Sequence, residues 1–284
     1  MGPTLGSLVF GFVALTIVFW PLERLRPAIP EQPRWRRGTL TDLGYWFFTP
    51  LVTRVVTRAA LIVAVVALAA AAGVPLRKPE VQAFLVGNGS AVQRQPLWLQ
   101  VVEVLVLGDL IGYWTHRLFH GRELWPFHAV HHSSTDVDWL SSVRLHPVND
   151  VVSRLLQAIP LLLLGFPPGL MAGYLPFLTF YALLIHANVS WDFGPLRHVV
   201  ASPAFHRWHH TSQAEGLDKN FAGLFPWIDR LYGTYYMPEG RQARRFGILG
   251  GDVPDGLLAQ LAYPFRSRAR TAAAAPAPAS APQA

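Results

Sequence analysis

The chain contains no cysteine. Disulfides, thiolate-ligated haem, iron–sulfur clusters and cysteine zinc sites are therefore excluded, and any metal must be held by nitrogen or oxygen. Charge is scarce as well. Asp, Glu, Lys and Arg make up 14% of the residues, against about 25% in an ordinary soluble domain, and the shortfall is concentrated in long apolar runs. The formal net charge is +7. Basic loops beside anionic lipid account for that sign, so no nucleic-acid partner is expected. There is no internal repeat. The N-terminus lacks the basic stretch and the small-residue cleavage site of a secretory leader, so its apolar run is expected to be a retained span.

What is present reads as membrane helix. Residues 5–22 carry no charge, long enough for a crossing. A second apolar stretch covers 45–72 and holds Arg54 and Arg58 one helical turn apart, so the two share a face, where they are expected to snorkel or to pair within the bundle. A third covers 97–114 and contains Asp109. From 155 to 191 there is again no charge, but Gly165-Phe166-Pro167-Pro168-Gly169 interrupts the run, which predicts two short helices in a hairpin, spanning or re-entrant. The loop 73–96 holds only three basic residues, Arg77, Lys78 and Arg94. Most of the others fall in 23–44, 115–154 and 191–284. The positive-inside rule makes that side cytoplasmic. The expected fold is all-α: an integral membrane helical bundle of three spans plus an apolar helical hairpin, with a cytosolic histidine-rich helical cap. The Ala/Pro-rich end, from about 271, is expected to be disordered.

Nitrogen ligands come from eleven histidines. His116 and His120 form H-x-x-x-H where the third span ends. His128, His131 and His132 form H-x-x-H-H, and His206, His209 and His210 repeat that pattern. Residues at i, i+3 and i+4 share one helix face, so each cluster is expected to aim its rings at one point. Eight ligands suit two ions better than one, and His186, at the close of the hairpin, could be a ninth. A lone histidine is usually a cap or a core residue; three clusters at helical spacing are not explained that way. His146 could be a ligand, an outer-shell group or a packing residue, and His198 is read as ordinary. Imidazole suits zinc, copper, iron and nickel alike. The H-E-x-x-H pattern of zinc proteases is absent, as are the Glu-x-x-His pairs of ferritin-like di-iron bundles.

The run His116-x-x-x-His120, His128-x-x-His131-His132 and His206-x-x-His209-His210 resembles the fatty acid hydroxylase/sterol desaturase superfamily. Leu124-Trp125-Pro126-Phe127-His128, Arg144-Leu145-His146-Pro147, His186-Ala187-Asn188, Asn220-Phe221 and Asp229-Arg230-Leu231-Tyr232-Gly233-Thr234 add to the likeness, which covers about 100–237. The resemblance implies a membrane di-iron oxidoreductase that hydroxylates or desaturates lipids, with its histidines on the cytosolic face. Some members have a second histidine where this chain has Ser190, so His186 stands alone there. Some carry a fused cytochrome b5 domain; none is found in these 284 residues, so a separate ferredoxin- or cytochrome b5-like electron donor is expected.

The function expected from these readings is O2-dependent hydroxylation or desaturation of a fatty acyl, sterol or related lipid by two iron ions, zinc being a possible substitute. No side chain is basic enough to deprotonate an alkane, so the oxidant must come from metal and O2. Hydroxyl transfer would give an alcohol and a second hydrogen removal an alkene. The main competing reading is a zinc-dependent membrane lipid hydrolase working through a metal-bound water. A metal transporter fits less well, because transporters place ligands at midplane between paired repeats. Asp109, seven residues before His116, is expected to orient a ligand histidine or to bond another helix. His146, Asn220 and Asp229 are further outer-shell candidates. Asp136 and Asp138 are read as solvated loop positions, and Trp139, Phe177 and Phe180 as possible walls of a lipid channel. The expected organisation is an N-terminal transmembrane region, 1–96, a catalytic region, 97–240, and a C-terminal tail, 241–284, in a protein of the bacterial inner membrane.

Overall fold

The computed structural model describes residues 3–86, 90–250 and 253–266. The tail expected to be disordered lies outside them. Apart from an isolated bridge between Thr211 and Phe246, the described residues form helices, turns and loops. Helix α1, Leu5–Leu25, starts on a capping box between Thr4 and Ser7. Helix α2, Thr39–Phe48, runs through a π-helical turn, Thr49–Thr53, into α3, Arg54–Ala71. Pro50 lies in that turn; it has no N–H to donate and crowds the preceding turn, so the helix widens instead of breaking. The second crossing is therefore one 33-residue element from Thr39 to Ala71, longer at its start than the apolar run suggests. Between the second and third crossings, a short helix α4, Lys78–Val86, lies where a plain loop was expected.

Helix α5, Leu97–Phe119, carries the third crossing on into the first histidine pair. Helix α6, Trp125–His132, follows at once. The apolar hairpin is α7, Pro147–Leu163, and α8, Pro168–His186, turned at Gly165 with φ of +90°, a conformation that favours glycine. Helix α7 begins in the charged stretch well before the apolar run, capped by His146 with Pro147 in its first turn. Among the described residues, four helical stretches are long and apolar enough to cross a membrane: Leu5–Leu25, Thr39–Ala71, Leu97–Phe119 and Pro168–His186. Of the two hairpin arms, only α8 meets that test. Large apolar side chains stand outward along these helices, among them Phe10, 75% exposed, and Ile62, 64% exposed. Such a belt is what a lipid-facing surface requires and a soluble one avoids.

The core lies between the helices. Val104, Ala158, Leu161, Met171 and Tyr174 join α5, α7 and α8. Nearer the histidines, Phe19, Trp139, Leu183 and Val189 pack together, with Trp46 against them. The last helices, α9, Pro203–His209, α10, Pro226–Leu231, and α11, Leu257–Ala262, belong to a cap of short helices and loops. Two devices fasten this cap to the spans. The Glu23 carboxylate, at the end of α1, accepts the backbone N–H groups of Trp139, at 3.0 Å, and Asn188, at 2.8 Å. In addition, Arg36 pairs with Asp42 at 2.5 Å and Asp138 at 2.6 Å, and Arg144 pairs with Asp42 at 2.6 Å. Asp138 is thus a member of a largely buried ion network rather than a solvated loop residue.

Candidate metal centre

Nine histidines meet where these ends converge. Ring nitrogens of His116, His120, His128, His132 and His209 lie within 4.8 Å of one another, and so, in a second group, do those of His131, His186, His206 and His210. The division does not follow the sequence clusters, and the expectation that each cluster aims at one point is corrected for α6 and α9. In α6, His128 and His132 enter the first group and His131 the second. In α9, His206 and His210 enter the second and His209 the first. Helical geometry is the reason. At 3.6 residues per turn, position i+4 is rotated about 40° from i in one sense and i+3 about 60° in the other. The i/i+4 pair therefore points one way, and the i+3 ring is free to reach the neighbouring group. His116 and His120, also i/i+4, complete the first group. His186 is the sole histidine from α8, which ends there; Ser190 lies beyond the helix, its N–H donated to the Arg26 carbonyl at 2.8 Å.

Six of the nine rings are aimed by what their other nitrogen touches. The Nδ1–H of His116 donates to the Phe221 carbonyl at 2.8 Å, that of His131 to Arg144 O at 3.0 Å, that of His186 to Ala182 O at 2.7 Å and that of His209 to Lys219 O at 2.8 Å. His128 donates to Asn149 Oδ1 at 2.7 Å and His120 to Asp218 Oδ1 at 3.0 Å. A carbonyl oxygen only accepts, so the ring nitrogen facing it carries the proton and Nε2 keeps its lone pair. The consequence is sharp at two places. His116 Nε2 and His128 Nε2 are 3.0 Å apart, and His131 Nε2 and His186 Nε2 are 3.2 Å apart. Neither pair has a proton to share, so lone pair faces lone pair. Burial also holds His131 neutral, down to about 3, and lowers His128, His132, His206, His209 and His210 well below the usual imidazole range. Protonation at neutral pH therefore does not relieve the contacts, whereas a cation among the nitrogens does. The donor set fits metal: neutral imidazoles, largely buried, six of them oriented from outside.

The outer-shell candidates fall elsewhere. Asp109 touches no histidine. Its carboxylate accepts the N–H groups of Gly223, Leu224 and Phe225, at 2.9, 3.0 and 2.7 Å, because α5 carries it below the His116 ring, against the 223–225 loop. His146 is in neither group; its Nδ1 accepts the Val148 N–H and its Nε2–H donates to Leu261 O, both at 3.1 Å, the bonds of a helix cap. Asn220 bonds Phe205 O and both backbone groups of Tyr236. It sits at φ of +59° and shapes the loop whose neighbours, Lys219 and Phe221, offer carbonyls to His209 and His116. Asp229 accepts from Phe221 N at 2.8 Å, Ala222 N at 2.9 Å and Thr234 Oγ1 at 2.7 Å, so it holds the Asp-Arg-x-x-Gly-Thr turn and, through it, the Phe221 carbonyl. Asn149 and Asp218, which do contact histidines, went unread in the sequence. Asn149 stands three residues after His146 and Asp218 two before Asn220, and neither spacing marks it.

These features define a class: a membrane-spanning helical protein with a buried centre of nine histidines fit to bind metal. Residues 101–234 match the family model for fatty acid hydroxylases. The chain is 38% identical over 177 residues to an ornithine lipid hydroxylase of Rhizobium tropici, covering 62% of this chain and 53% of the relative. It is 36% identical to an alkylglycerol monooxygenase of Danio rerio, over 49% of this chain and 30% of that protein, and 35% identical to the Homo sapiens alkylglycerol monooxygenase, over 45% and 28%. The chain thus spans about half the length of the first relative and under a third of the other two. No solved structure matches it.

Proposed function

We propose that this chain is an O2-dependent membrane oxidoreductase that hydroxylates or desaturates a lipid C–H bond with two irons, one in each histidine group. The observation that carries the reading is the pair of buried lone-pair contacts between rings whose protons are committed outward. Relatives named for lipid hydroxylation and alkylglycerol monooxygenation support the reaction class. Nothing comparable supports a zinc hydrolase. The catalytic region proposed is 97–240, with 1–96 a transmembrane support and 241–284 a tail. The distribution of basic segments supports a cytoplasmic face for the histidines, in a bacterial inner membrane. Electrons would come from a separate ferredoxin- or cytochrome b5-like donor.

His116, His120, His128, His132 and His209 would hold one ion, and His131, His186, His206 and His210 the other. When bound, the irons would supply O2 reduction and the abstraction of hydrogen from an unactivated carbon. The chain's own part is to fix geometry and exclude water. Four backbone carbonyls, Asn149 and Asp218 hold six of the rings in place, and burial of the rings keeps bulk water away. On the membrane side of the site, a cavity of about 420 Å³ reaches Ala182, whose carbonyl anchors His186. Trp139, Phe177 and Phe180 are not among its walls. Trp139 is packed in the core, and Phe177 and Phe180 are 45% and 48% exposed.

The test is elemental analysis and ⁵⁷Fe Mössbauer spectroscopy on protein purified anaerobically in detergent, with lipid mass spectrometry of cells expressing it. About two coupled irons per chain and an O2-dependent oxidised lipid are expected. His131→Ala and His209→Ala, one from each group, should each abolish the product while the protein still inserts. Stoichiometric zinc without iron after iron-replete growth, or full activity in either variant, would overturn the proposal.

A further inference from the structure

The cavity beneath the histidines has two unlike walls. One is apolar, made by Leu8, Leu15, Trp46, Leu175, Leu178 and Leu183 from α1, α2 and α8. The other carries Arg54, at the start of α3, with Asp150, Ser153, Arg154 and Gln157 on successive turns of α7. Asp150 accepts from Arg154 Nε at 2.8 Å, and its second carboxylate oxygen is buried without a hydrogen bond. The Arg54 guanidinium forms no ion pair and no hydrogen bond with any described residue. The charged groups that act on it are Arg154, Asp150 and Arg58, and Arg58 points outward, exposed. Two guanidiniums thus face one carboxylate inside the membrane-spanning bundle. One positive charge is left uncompensated in a cavity that is otherwise mostly hydrocarbon.

An ionised side chain within a span faces a polar cavity or a partner and marks a ligand pathway more often than it serves packing. A guanidinium offers a planar fork that matches a carboxylate or a phosphate oxygen pair. Apart from Asp150 and Arg154, the residues that line the cavity with Arg54 are uncharged, and the volume lies within the range of pockets that enclose one small ligand. We infer that Arg54, with Arg154 beside it, anchors the anionic head of a single-chain lipid whose hydrocarbon chain lies against Leu175, Leu178 and Leu183. The head chemistry is a carboxylate or a phosphate monoester.

The same wall reaches the histidine layer. Ser153 accepts from Asn149 Nδ2 at 3.1 Å, and Asn149 Oδ1 accepts from His128. Ala182, on the α8 side of the cavity, accepts from His186. One contact leads to each histidine group, so a lipid held here lies against the metal centre from the membrane side. This inference deepens the lipid oxidase reading and rests on it for the claim that the bound lipid is a substrate. The binding itself does not depend on iron.

The experiment is equilibrium binding of radiolabelled palmitate, lysophosphatidate with a palmitoyl chain, and hexadecanol to metal-free full-length protein in detergent. At least one anion should bind tenfold or more tightly than the alcohol of equal chain length, and whichever anion does so identifies the head. Arg54→Gln should abolish that preference and leave alcohol binding unchanged, while Arg58→Gln leaves the preference intact. Leu178→Trp, which fills the apolar wall and keeps both guanidiniums, should weaken all three ligands and serves if Arg54→Gln fails to fold. Equal binding of all three lipids by the wild type, or an undiminished anion preference in Arg54→Gln, overturns the inference. Anion binding that needs Arg54 in a protein that never oxidises lipid would leave the binding site standing and remove the oxidase reading.

Discussion

At the scale of single residues, the site depends on which nitrogen of each imidazole carries the proton. His128 is the most instructive case, because its Nδ1 partner is a side chain and can be changed. Asn149→Leu removes the acceptor at 2.7 Å and frees the ring to turn or to move its proton to Nε2, where it would block a lone pair. Loss of such an outer-shell partner costs roughly 10–100-fold in metal affinity. Chelator competition on the iron-loaded variant should show that loss for one of the two ions only, and Asn149→Asp, which keeps an acceptor, should recover most of it. Equal weakening of both ions would mean that Asn149 supports the fold and not the ring. The histidines were legible in the sequence because ligand type and helical spacing coincide there. Their partners were not, since four of the six Nδ1 acceptors are main-chain carbonyls, which carry no residue identity. Asp109, Asn220 and His146 drew notice as polar residues near histidines, yet their partners are backbone groups that no spacing reveals.

At the scale of elements, hydropathy located the crossings and missed what joins them to the cap. The start of α2 at Thr39 was hidden because its first turns are polar, and they are polar because Asp42 is enclosed there by Arg36 and Arg144. The start of α7 at Pro147 was hidden likewise by Asn149, Asp150 and Arg154, which face the site and the cavity rather than lipid. The ion network also has a defined output. Arg144 is held by Asp42, and the Arg144 carbonyl accepts the hydrogen bond of the His131 Nδ1–H. Removing one partner of a buried ion pair typically costs about 3–5 kcal/mol, since the remaining charge is left desolvated and alone. Asp42→Ala leaves the Arg144 guanidinium without a carboxylate and Arg36 with Asp138 alone, and should lower the melting temperature of the detergent-solubilised protein markedly. The exposed pair Arg37–Asp255 gives the contrast: Asp255→Ala should shift it little, because surface pairs contribute about 0–1 kcal/mol. Similar shifts for the two variants would show that the buried network is not what fastens α2 to the cap.

At the scale of the whole molecule, two regions differ in what holds them. The spans have continuous helical hydrogen bonding and an apolar exterior suited to lipid, so their stability owes nothing to the histidines. In the cap, short helices bring nine neutral rings together with lone pairs opposed at about 3 Å, an arrangement that disfavours itself without a cation. An ion that binds only the assembled cap stabilises it by RT ln(1 + [L]/Kd), about 4 kcal/mol at a thousandfold excess over Kd. That gain belongs to the cap alone, because no span is closed by the metal except at its final turn. Hydrogen exchange read by mass spectrometry should therefore show amide protection in α6 and α9 falling by tenfold or more when iron is removed by a chelator. The same treatment should leave the middle of α5, around Val104 and Gly108, unchanged. Loss of protection spread evenly over spans and cap would mean that the molecule unfolds as one unit, and that the histidine centre organises the bundle as well as the chemistry.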